Sequence, residues 1–92
     1  MISKDILEDY YYCKKAVEAG RYDEYDKAVV EESERFLNSL ESSRDRQICK
    51  LRFVQKYSHQ CIAMQLGRCD EGTIRKRIHK LIKEFNSKEN NF

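Results

Sequence analysis

Apolar residues recur at three- and four-residue steps along most of this chain, and no proline interrupts them. Such spacing gathers apolar side chains on one face of a helix and leaves the other face in water. With three glycines and 37% charged residues, helices with solvated faces are favoured over a sheet. Both signs of charge are present and the apolar pattern is regular, so a folded rather than a disordered chain is expected. Ninety-two residues make one domain at most, or a small domain with a helical extension, around a thin core. The expected fold class is all-α: an N-terminal helical hairpin followed by a three-helix helix-turn-helix unit.

The first helix is expected from Ser3, its cap, to Glu18, with Ile6, Tyr10, Cys13 and Val17 turned inward beside Ile2, Leu7 and Tyr11. Gly20 ends it. The second is expected over 22–40, with Tyr22, Tyr25, Val29, Ser33, Phe36 and Leu40 as its apolar stripe and a mostly acidic outer face. About four residues join the two, so an antiparallel hairpin is the natural geometry over 1–43. Ser43 stands as cap for a third helix over 44–55, with Ile48, Leu51 and Val54 inward. Ser58 caps a fourth over 59–66, and Gly67 closes it in the left-handed conformation. Asp70 caps the fifth, with Thr73 returning part of the bond pattern, and that helix buries Ile74, Ile78, Leu81, Ile82 and Phe85. Residues 44–86 form the second unit, and 87–92 are expected to be a frayed tail.

The net charge of +2 hides an asymmetry. Residues 1–43 hold 6 Lys/Arg against 11 Asp/Glu, a net of −5; residues 44–92 hold 12 against 5, a net of +7. An acidic half joined to a basic half points to nucleic acid at one end and a different role at the other. The five tyrosines Tyr10, Tyr11, Tyr12, Tyr22 and Tyr25 suit either a partner surface or packing inside the hairpin, and packing is favoured.

Cys13, Cys49, Cys61 and Cys69 form no CxxC pair. No apolar leader and no long apolar run are present, so neither secretion nor a membrane span is expected, and free thiols in a cytoplasm are. His59, Cys61, Cys69 and His79 match no common zinc spacing, and Cys49 and Cys61 sit at apolar helix positions as small core residues. Neither metal nor cofactor is expected. No Ser/His/Asp order and no phosphate-cradling glycine loop occurs, so the chain is read as a non-enzyme.

The fifth helix carries the function. With Ile74, Ile78, Leu81 and Phe85 facing the core, Arg75, Lys76, Arg77, His79, Lys80 and Lys83 point outward or sideways. A helix fits the major groove of B-DNA, where lysine and arginine neutralise phosphates and arginine pairs with both guanine acceptors. In the helix before it, small Ala63 allows close approach, Leu66 fills the angle and Gly67 turns the chain.

The runs KLRFV at 50–54, YSHQCIA at 57–63, QLG at 65–67 and EGTIRKRIHKLIKEF at 71–85 resemble the C-terminal helix-turn-helix domain of bacterial sigma factors, region 4, which reads the −35 promoter element. Small phage-encoded transcriptional regulators carry the same domain. The resemblance covers 44–85. The turn between Leu66 and Thr73 is one residue longer than the family's usual pattern, and residues 1–43 do not resemble the sigma domain that melts the −10 element. The resemblance implies that Thr73, Arg75, Lys76 and Lys80 face the major groove with Arg77 on its flank. Ser58, His59 and Gln60 would lie near a phosphate at a helix start.

The expected function is therefore sequence-specific double-stranded DNA binding by a transcriptional regulator of phage or prophage type, in the cytoplasm of a bacterial host. The alternatives are a module that binds RNA polymerase or another factor, and a phage DNA-packaging recognition protein. A homodimer through 1–43 is a further expectation.

Overall fold

The computed structural model describes residues 1–67 and 69–89, and all its regular structure is helical. Arg68 and the part of the expected tail at 90–92 lie outside the described residues. Five α-helices run α1 (Lys4–Glu18), α2 (Glu24–Ser39), α3 (Ser43–Cys49), α4 (His59–Leu66) and α5 (Glu71–Glu89), with a π-helical segment, Lys50–Val54, continuing α3. No helix among the described residues is long and apolar enough to cross a membrane.

The starts of the helices follow from short polar side chains. Ser3 accepts from the Ile6 amide and Ser58 from the Cys61 amide. Asp23 and Asp26 exchange bonds in a reciprocal capping box that starts α2 two residues later than the apolar pattern suggests. Ser42, not Ser43, caps α3, accepting from the Asp45 amide. Gly20 and Gly67 take φ of +72° and +80°, the left-handed region where a side chain is disfavoured. α5 continues through Glu89, so residues 87–89 are helix rather than tail.

The π-helical segment changes which side chains face inward. Its bonds span five residues, as from the Gln55 amide to the Lys50 carbonyl, and each residue advances less far around the axis than in an α-helix. Phe53 therefore comes round to the buried side, 1% exposed, while Val54, expected inside, is 38% exposed. Two residues past the segment, Lys56 takes φ +62°. A non-glycine residue there costs on the order of 1 kcal/mol in backbone strain.

One core spans both parts of the chain. Ile2, Leu7, Phe36 and Leu40 pack in the same cluster as Ile48, Phe53, Ile62, Ile74, Ile78 and Phe85. Phe36 and Phe85 meet edge to face, 5.4 Å between centroids at 89°. Asn86 clasps Ile2, accepting from its amide at 2.9 Å and donating to its carbonyl at 2.8 Å. A smaller cluster of Tyr10, Cys13, Val29 and Val30 lies between α1 and α2, with Ile6 and Leu37 packed against both. Tyr12, Tyr22 and Tyr25 are exposed, against the packing expected of them. Tyr25 donates its hydroxyl to Asp9 at 2.7 Å.

Candidate nucleic-acid interface

α4 and α5 are joined by the turn that follows Gly67. Gly67 donates its amide back to the Ala63 carbonyl at 3.0 Å, closing α4. Ile62 and Ala63 are buried on α4, as are Ile74 and Ile78 on α5. Ala63 keeps a small side chain where the helices approach. Asp70 then caps α5, its Oδ1 accepting from both the amide and the hydroxyl of Thr73, at 2.8 and 3.0 Å. Those bonds, with Lys76 adding to them, hold the Asp70 carboxyl below its usual range.

With Ile74, Ile78, Leu81 and Phe85 inward, a 3.6-residue turn distributes the rest of α5. Lys76 and Lys83 point straight away from the core. Thr73 and Lys80 fall to one side of that line, and His79 and Arg75 to the other. All six are exposed. Among the described residues Lys76, His79, Lys80 and Lys83 make no ion pair, whereas Arg75 pairs with Glu71 one turn earlier. The result is an outward basic row along α5.

Arg77 stands apart from this row. It is turned towards α3, where its Nε and Nη2 donate to the two oxygens of Asp45 at 2.9 and 2.7 Å. Asp45 is 7% exposed, and the Arg77 bonds hold its carboxyl below the ordinary value despite burial. Arg77 thus ties α5 to α3, within the C-terminal part, rather than pairing with an acid of residues 1–43. The Thr73 hydroxyl proton is likewise engaged in the cap.

Ser58, His59 and Gln60 stand at the start of α4. Ser58 spends its hydroxyl oxygen on the α4 cap, while Gln60 is exposed. His59 is half-buried, and burial lowers its pKa, with Arg52, Arg75 and Lys4 acting in the same direction and Glu71 opposing them. His59 and Arg75, distant in sequence, therefore lie within electrostatic reach of each other. Lys4 of α1 and Arg52 of the π-helical segment join them; both escaped the sequence reading because only the fold brings them near α4.

Cys49 is fully buried and burial pushes its thiol up to about 12. Cys61, expected inside, is exposed, because it lies on the side of α4 away from Ile62 and Ala63. His59, Cys61, Cys69 and His79 do not converge, and no group of three or more potential ligands lies together among the described residues. A cavity of about 640 Å³ lies between α2, α3 and α5, away from the basic row. Two ion pairs stand in its wall: Arg77 with Asp45, and Arg35 with Glu89 at 3.3 Å.

Comparison with known proteins finds no matching family model, no matching curated protein and no matching solved structure.

Proposed function

We propose that this protein binds double-stranded DNA as a small transcriptional regulator of phage or prophage type, acting in a bacterial cytoplasm. In this reading residues 44–86 form a helix-turn-helix unit of the sigma region 4 kind behind an N-terminal helical hairpin. The observation that carries it is the outward row of Lys76, His79, Lys80 and Lys83 on the helix that follows the Gly67 turn. Lys76 and Lys80 enter the major groove, and Lys83 and His79 follow its wall. Arg75, His59, Ser58 and Gln60 face the sugar–phosphate backbone. Arg77 aims the helix instead of reading bases.

The test is an anisotropy titration on duplex DNA at low and moderate salt, with wild type and the Lys76→Ala/Lys80→Ala double variant. Affinity should fall steeply with salt, and the double variant should bind more weakly and discriminate less between duplex sequences. Absence of binding by folded wild type at low salt excludes the reading.

A protein partner such as RNA polymerase is the second reading. Tyr12 on α1, Tyr25 on α2 and Tyr22 in the turn between them favour it, because three exposed tyrosines suit an interface better than a bare surface. Capture of polymerase that survives Arg75→Glu/Lys76→Glu would support this role, and the same face could instead join two copies of the chain.

A further inference from the structure

One carboxylate connects α1 to the bend that precedes α4. Glu8 accepts from Arg52 Nη2 at 2.6 Å and from Lys56 Nζ at 3.3 Å, and its backbone carbonyl accepts from the same Lys56 Nζ at 3.0 Å. Arg52 is 17% exposed at its side chain, Lys56 25% and Glu8 27%, so the trio is shielded well enough for its geometry to be held. Arg52 also donates to the Tyr57 carbonyl at 3.3 Å, and the Tyr57 amide returns to the Leu51 carbonyl at 2.9 Å. The next residue is Ser58, the cap of α4.

Lys56 occupies the position after a helix end where the left-handed conformation is needed and glycine is the usual residue. A lysine there bears strain that glycine would not. What it supplies in return is its ammonium, which crosses to Glu8 and lies 5.5 Å from the centre of the Tyr12 ring. The bend is thus held from α1 as well as by its own hydrogen bonds.

We propose that Glu8 is a positioning residue for DNA binding: by clamping Arg52 and Lys56 it fixes the bend into α4, and with it the presentation of α4 and α5. The inference rests on the DNA-binding reading for its functional consequence, but its structural part stands separately.

Charge alone gives the opposite expectation. Removing an acid raises the positive charge of the protein, and that tightens binding to a polyanion. Glu8→Gln is therefore predicted to weaken duplex affinity several-fold in spite of its added positive charge. Glu8→Asp, which keeps the charge but shortens the reach, should weaken it too and serves where Glu8→Gln folds poorly. In the Glu8→Gln/Lys56→Gly protein, glycine adopts the left-handed bend unaided and should recover part of the loss, although a positive charge has gone. Duplex titrations of these variants are paired with amide hydrogen exchange at Tyr57 and Cys61, whose protection should drop in Glu8→Gln and return with Lys56→Gly. Affinity equal to or tighter than wild type, with unchanged protection at both amides, overturns the proposal. If wild type binds no DNA, the functional reading fails, and the exchange data alone decide whether Glu8 positions the bend.

Discussion

Asp45 remains ionised next to the core because Arg77 donates two hydrogen bonds to it. Arg77→Ala would leave that carboxylate without its partner, a loss of about 2 kcal/mol for bonds of this charged kind. Stability of the variant should fall by that order in chemical denaturation, while DNA affinity of the folded fraction changes less than in Lys80→Ala. Arg77→Lys should recover little, since an ammonium cannot make the two-pronged contact. The pair also has a pH signature. Asp45 titrates lower folded than unfolded, so its contribution is complete above the ordinary aspartate value, about 4, and disappears as pH falls through the depressed folded value. Denaturation midpoints measured down to acid pH should show wild type converging on Arg77→Ala. Sequence alone showed Arg77 on the edge of the basic row. It did not show its partner, because Asp45 and Arg77 are 32 residues apart and meet only when α3 packs on α5.

At the level of elements, Gly67 isolates one term. Its φ is +80° and a Cβ built there would meet nothing within 4 Å, so Gly67→Ala carries backbone strain without a steric clash. The expected cost is about 1 kcal/mol, read as a shift in denaturation midpoint with unchanged slope. A much larger loss would mean that α4 and α5 pack more tightly at the turn than the open space implies. This turn was readable from sequence because its determinants are local: a capping serine, a small Ala63, the glycine and Asp70. The π-helical segment was not. Apolar spacing through 44–55 fits an ordinary helix with Val54 inside, and the wider hydrogen bonds that bring Phe53 inward depend on the core Phe53 enters. Cys61 was misplaced for a related reason, since a helix of eight residues has too few apolar positions for their spacing to define its buried side.

For the whole molecule, the shared core predicts that the two ends of the chain unfold together. Phe85→Ala removes the ring that meets Phe36 and should cost about 3 kcal/mol. Five of the six tyrosines lie within residues 1–43 and tryptophan is absent, so tyrosine fluorescence reports mainly on α1 and α2, while far-ultraviolet circular dichroism reports on all helices. Both probes should give coincident melting curves in wild type and, at lower temperature, in Phe85→Ala. Separated transitions would show that α1 and α2 melt independently of α5. The helical class and the basic row were legible from periodicity and charge. The fusion of the two parts was not, since Ile2, Phe36 and Phe85 carry no local mark of meeting.

The clasp between Ile2 and Asn86 also bears on the order of events in folding. It joins residues separated by 84 positions, and closing a loop that long from an unfolded chain carries an entropy cost of about 4 kcal/mol, more than two hydrogen bonds return. It can form only after α5 has docked, when the loop has already been shortened by the rest of the fold. Ile2 is thus among the last residues to find its partner.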